Sequence, residues 1–170
     1  MPAEGLHAPS LARRMAAFVY EGVLLFGIGM VVTLLYTGLF QMRNAMHGRF
    51  GLVAALLGTI GLYFVWFWSH GGQTVATKAW HIRLVDASGQ PVSAGRATVR
   101  YVASWVWFLP ALVTVDRFGI KSGAMFGIVI AGVVAYAALT RLNPQRQFWH
   151  DVVCGTRLVD ARSTAPPQAG

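Results

Sequence analysis

The sequence is short of charge. Only 12% of its 170 residues are Asp, Glu, Lys or Arg, against about 25% in ordinary soluble domains, and 55% are hydrophobic. Long stretches carry no charge at all. That shortage excludes an ordinary soluble surface and points to an integral membrane protein. Carboxylates are the scarcest group, with 6 Asp and Glu against 14 Lys and Arg. The resulting net charge of +8 does not indicate a nucleic-acid partner, because the basic residues form no single patch or run. They fall between apolar segments, where the anionic headgroups of a lipid bilayer account for them.

Cysteine is almost absent. The lone Cys154 excludes an internal disulfide and a thiolate metal site. The five histidines, at 7, 47, 70, 81 and 150, lack ligand spacing, so no metal and no cofactor is expected. The first ten residues have no Lys/Arg-rich stretch of the kind that opens a signal peptide. The first apolar run also exceeds the roughly 7–15 residues of a signal core, so it reads as an uncleaved span. No serine or cysteine completes a nucleophile–base set, so no catalytic residue is assigned and an enzyme is not expected. The Gly-Gly turn at 71–72 lacks the phosphate-loop pattern.

Four segments reach the roughly 17–25 apolar residues that cross a bilayer: about 16–40, 50–68, 97–115 and 122–140. The third is the weakest, with Arg100 near its start and Pro110 near its end. The expected fold is therefore an all-α membrane protein of four transmembrane helices. An even number puts both termini on one side, together with Arg13, Arg14, Lys78, Arg83, Arg96, Arg100, Arg141, Arg146, Arg157 and Arg162. Arg43, Arg49, Arg117 and Lys121 fall on the other. The positive-inside rule makes the richer side cytoplasmic. Tyr63, Trp66 and Trp68 close the second span, and Trp105 and Trp107 lie in the third, as interfacial aromatics do.

Two cytoplasmic segments alternate like strands, near 81–86 and 156–160. Both contain RLVDA, at 83–87 and 157–161, a repeat that fits either chance or duplication. Pairing them would give a small β element and satisfy backbone groups close to the membrane. Residues 1–10 and 161–170 are expected to be disordered, flanking one domain at 11–160.

Glu21 is the costly residue, a carboxylate about six residues inside the first span. Arg14, seven positions earlier, shares its helix face but lies about 10 Å away along the axis. Two readings stand: a proton or monovalent-cation site, or a structural pair with an arginine from another helix. A second constellation is RQFWHDVVCGTRLVD, in which Arg146, His150 and Asp151 lie on a short interfacial helix ended by Gly155. A structural role, accepting from an arginine or a turn, is the favoured reading of Asp151. In the fourth span Gly123 and Gly127 form a small-residue face with Ala131, which fits an intramolecular contact or a homo-oligomer seam.

These motifs together resemble the RDD family of small bacterial membrane proteins, named for an arginine and two aspartates. RRMAAFVYE resembles its first-helix motif, with Arg14 as the arginine and Glu21 where the first aspartate would stand. GQTVATKAWHIRLVDASGQPVS resembles the middle segment, which brings in Gln73 and Lys78, although Ala76 and Thr77 replace a Gly-Lys. RQFWHDVVCGTRLV resembles the closing segment, with Asp151 as the second aspartate. The resemblance spans about 11–160. It implies a multi-pass protein of the bacterial inner membrane that transports a cation, a proton or a small ligand through a charged cluster of Arg14, Glu21 and Asp151. Arg146, His150, Lys78 and Gln73 would support that cluster. The alternative is a membrane scaffold or assembly factor in which the same charges are structural pairs.

Overall fold

Ser10 opens the first helix, its side-chain oxygen accepting from the Arg13 amide at 3.3 Å, the contact that satisfies a free helix-end donor. From it the apolar run propagates α1, Leu11–Leu39. The computed structural model describes residues 7–40, 49–105, 108, 113–114, 117–118, 123–143 and 147–162. Within them α1 is followed by α2 (Arg49–Ser69), α3 (Val75–Ala79), β1 (Ile82–Asp86), α4 (Ala94–Ser104), α5 (Gly123–Leu139), α6 (Trp149–Val153) and β2 (Thr156–Asp160). A 3-10 turn, Thr140–Leu142, extends α5.

The chain is mostly helical with one small sheet. Among the described residues three helices are long and apolar enough to cross a bilayer: α1, α2 and α5 with its 3-10 turn. Phe26, Leu34, Leu62, Phe126 and Ile130 are exposed on them, as lipid-facing side chains are. The chain is a membrane protein. The expected third span meets the described residues chiefly at α4, while Trp107 and Pro110 lie outside them. Ser93 caps α4, which buries Ala97 and Arg100 and exposes Val99 and Val102. This part is two-faced because its arginine has an internal partner. α4 climbs alongside α2, where Tyr101 donates to the Leu57 carbonyl at 2.8 Å. A Cβ on Gly61 would come within 2.9 Å of the Tyr101 ring, so only glycine lets the two helices approach this closely.

β1 and β2 pair antiparallel, with Leu84 opposite Leu158 and Arg83 opposite Val159. The two RLVDA copies are therefore partners about a local two-fold axis between the leucines. The likeness extends well beyond five residues. The shift in numbering that carries Gln73 onto Gln147 also carries α3 onto α6 and β1 onto β2. It carries His81 onto Gly155 as well, and both have positive φ, 53° and 61°. Each half is thus a glutamine, a five-residue helix, a left-handed residue and a strand.

The flanking helices repeat the pattern. Ser10 and Ser93 each accept from an amide three residues on, that of Arg13 or Arg96. Arg13 pairs with Asp160 of β2, and Arg96 with Asp86 of β1 at 3.5 Å. Each capped helix therefore delivers its arginine to the aspartate ending the other half's strand. His7 is held at this junction too, its carbonyl accepting from the Asp160 amide at 2.9 Å. The expected disorder at 1–6 and at 163–170 falls outside the described residues. The small core lies where the sheet meets the helix ends: Trp68, Leu84, Val92 and Ala97, with Phe64, Val65, Tyr101 and Leu158 packed against it.

Candidate functional site

The buried residues of α1 are Arg14, Ala17 and Glu21, spaced three and four apart and so on one helix face. At its lower end Glu21 is 7% exposed. Tyr63 of α2 donates to its Oε1 at 2.7 Å, and the Thr74 hydroxyl donates to Oε2. Thr74 is fixed by its own local role. It caps α3, accepting from the Thr77 amide, while the Thr77 hydroxyl accepts from the Thr74 amide at 2.7 Å, a reciprocal capping box. No ion pair joins Glu21 to an arginine, lysine or histidine among the described residues. Its carboxylate is held by two neutral hydroxyls.

Asp151 is different. It is fully buried, and Arg100 of α4 donates from Nε to its Oδ1 at 2.7 Å. The Arg100 guanidinium also lies over the Trp68 ring, 4.2 Å from its centroid, a cation–π contact strengthened by burial. The Thr156 hydroxyl reaches both the backbone carbonyl of Asp151, at 3.2 Å, and its Oδ1, at 3.4 Å. Oδ2 is buried and has no hydrogen-bond partner among the described residues. His150 Nε2 lies 3.4 Å from Oδ1. Burial pushes the His150 imidazole down to about 4, more than the Asp151 carboxylate raises it, and Arg100 adds to the fall. At neutral pH His150 is therefore uncharged, and among the described residues Arg100 balances Asp151. At the sheet edge, the hydrogen bond from Arg13 keeps the Asp160 carboxyl below the usual carboxylate range.

The residues expected to cluster thus divide into two sets. Arg14 is buried with its guanidinium over the Phe148 ring, 4.8 Å from the centroid, and makes no ion pair with Glu21 or Asp151. Gln73 donates to the Ile82 carbonyl at 2.9 Å and so closes the edge of β1. Lys78 is exposed in the last turn of α3. Arg146 lies outside the described residues. Gly123 and Gly127 face open space, so their small face makes no close contact within the described chain.

Four residues that bear on the site were not singled out from the sequence. Arg100 carried the same signal as Glu21, a charge inside an apolar run, but counted against a span and toward the cytoplasmic charge excess. Tyr63 and Trp68 read as interfacial aromatics, and Thr74 as part of the short segment after the Gly-Gly turn. Their partners lie 32 to 53 positions away, beyond any local pattern.

The sequence matches the model of the RDD family over residues 8–155. The chain belongs to the RDD family. The matched range takes in Arg14, Glu21 and Asp151, which the resemblance sets against the family's name, and also Arg100, Tyr63 and Thr74. No curated protein and no solved structure matches the chain. In this RDD protein, then, Asp151 forms an ion pair with Arg100, while Glu21 is an acid inside a span whose partners among the described residues are two hydroxyls.

Proposed function

We propose that this RDD protein moves a proton or a monovalent cation across the bacterial inner membrane, with Glu21 as the coupling residue. One observation carries the reading: a buried carboxylate within a span has two hydroxyl donors and no cationic side chain among the described residues. Burying an ion without a countercharge is expensive, and a proton or small cation supplies the missing charge. Intramembrane acids of this kind mark ion pathways.

The chain crosses four times in this reading. α1 starts at the sheet, α2 returns to it, α4 climbs away beside α2 and α5 ends near α6, where the Tyr136 hydroxyl accepts from the His150 amide at 3.2 Å. The expected third span, about 97–115, would carry the chain across before α5 returns it. The arginine excess at the sheet end supports a cytoplasmic sheet and cytoplasmic termini. Passage by way of an oligomer fits a protomer this small.

The Arg100–Asp151 pair favours a second reading for its own half of the site. A dry, paired carboxylate locks helices together, as a scaffold or assembly factor requires. Proteoliposomes under an imposed pH gradient separate the two. Wild type should show sodium or potassium flux that Glu21→Gln abolishes while the protein stays folded. Silence from folded wild type, with Glu21→Gln losing a co-purifying partner, supports the scaffold.

A further inference from the structure

The two faces of the β ribbon have different tasks. Leu84 and Leu158 point to the face packed on Trp68 and Ala97. Alternation along a strand puts Arg83, Val85, Arg157 and Val159 on the opposite face. In this register Arg83 stands opposite Val159 and Arg157 opposite Val85, so the two arginines are diagonal neighbours, with Cα atoms about 7–8 Å apart. Their stems flank Val85 and Val159, which are 4% and 1% exposed. The local two-fold that relates the RLVDA copies relates these two arginines as well.

Neither arginine has a hydrogen bond or ion pair with a described residue. The nearby carboxylates are all committed elsewhere. Asp86 accepts from the amides of Ser88 and Gln90 and pairs with Arg96. Asp160 takes Arg13 and the Arg162 amide, and Asp151 takes Arg100. Arg83 is exposed and Arg157 half-buried, so both are within reach of a ligand.

We propose that the Arg83–Arg157 face binds a phosphate-bearing anion on the two-fold axis of the ribbon. A guanidinium offers a planar fork of donors that matches two oxygens of a carboxylate or phosphate. Two such forks on one face suit a ligand with at least three acceptor oxygens and more than one negative charge. A carboxylate satisfies one fork, whereas a phosphoryl group satisfies both. The ligand is a soluble phosphorylated molecule or a phospholipid headgroup. This site stands apart from Glu21 and does not depend on ion transport.

The test uses the full chain in nanodiscs at constant ionic strength, with thermal unfolding as the readout. In phosphatidylcholine discs, inorganic pyrophosphate should raise the Tm of wild type above a chloride-matched control. The Arg83→Gln/Arg157→Gln double variant should need at least tenfold more pyrophosphate for the same rise, and Arg141→Gln should respond as wild type. If only discs containing phosphatidylglycerol stabilise wild type relative to the double variant, the phosphoryl group comes from the lipid. Should the double variant fail to fold, each single variant should show a smaller loss, and Arg83→Lys/Arg157→Lys should keep part of the response. A wild type indifferent to both phosphoryl sources, or Gln variants that respond as wild type does, overturns the proposal.

Discussion

His81 and Gly155 occupy the same place in the two halves of the ribbon, each turning a five-residue helix into a strand with left-handed backbone. Glycine takes this conformation freely, whereas other L residues pay about 1–2 kcal/mol for it. A Cβ on Gly155 would meet open space, so Gly155→Ala measures the backbone cost alone. We expect it to destabilise by about 1 kcal/mol, seen as a lower Tm in detergent. His81→Gly should leave stability unchanged or raise it slightly, since relief of the backbone is offset by a more flexible unfolded chain. A Gly155→Ala variant as stable as wild type would mean that this turn is not left-handed.

The repeat shows what the sequence made legible. RLVDA was visible twice, and antiparallel pairing of its copies follows from alternation and from the need to satisfy backbone groups near a membrane. The long apolar runs likewise gave α2 and α5 to within a residue at each end, because length and lack of charge suffice to specify a span. Helix α1 instead starts at Leu11, five residues before the expected 16. The wider repeat was equally present, since Gln73 precedes Arg83 by the same distance as Gln147 precedes Arg157, but the intervening residues differ. Only backbone geometry makes a histidine equivalent to a glycine. The site was half legible. The cost of burying Glu21 and Asp151 is a property of the residues themselves, whereas the identity of their partners is a property of helix packing.

His150 makes the stability pH-dependent. Its imidazole titrates at about 4 in the folded chain against 6.5 as its ordinary value. The unfolded chain therefore binds more protons between those values, and stability is lost as pH falls from 6.5 toward 4. The loss from this group approaches about 3 kcal/mol at the lower end. His150→Phe keeps the aromatic contacts with Tyr136 and Phe148 and removes the titration. Tm plotted against pH should be flatter for the variant over this window; parallel curves would assign the slope to another group.

Gln147 replaces a neighbouring strand. Its side-chain amide donates to the Leu158 carbonyl and accepts from the Leu158 amide, both at 3.0 Å, so it satisfies the free edge of β2 in both senses. Gln147→Ala leaves two backbone groups without partners near the membrane and should cost about 1–3 kcal/mol. Gln147→Glu keeps the acceptor and loses the donor, so it should fall between alanine and wild type. Hydrogen exchange at the Leu158 amide is the direct readout, and it should quicken in the alanine variant by at least tenfold.

Arg100 and Asp151 hold α4 to α6 through a buried pair. Removing one partner of such a pair strands the other charge and costs about 3–5 kcal/mol, whereas replacing both with apolar groups is often tolerated. Arg100→Met and Asp151→Leu should each lower the Tm sharply or abolish expression, and the double variant should recover much of the loss. Glu21→Gln should behave differently, because Tyr63 and Thr74 present hydroxyls that can donate to an amide oxygen or accept from its nitrogen. Its stability should change by less than about 1 kcal/mol. The contrast separates the two acids physically: one variant breaks a charge pair, the other removes a charge that has no cationic partner among the described residues. If Glu21→Gln were as disruptive as Asp151→Leu, Glu21 would be balanced by a cationic group within the fold, and its assignment as the ion-coupling residue would be lost.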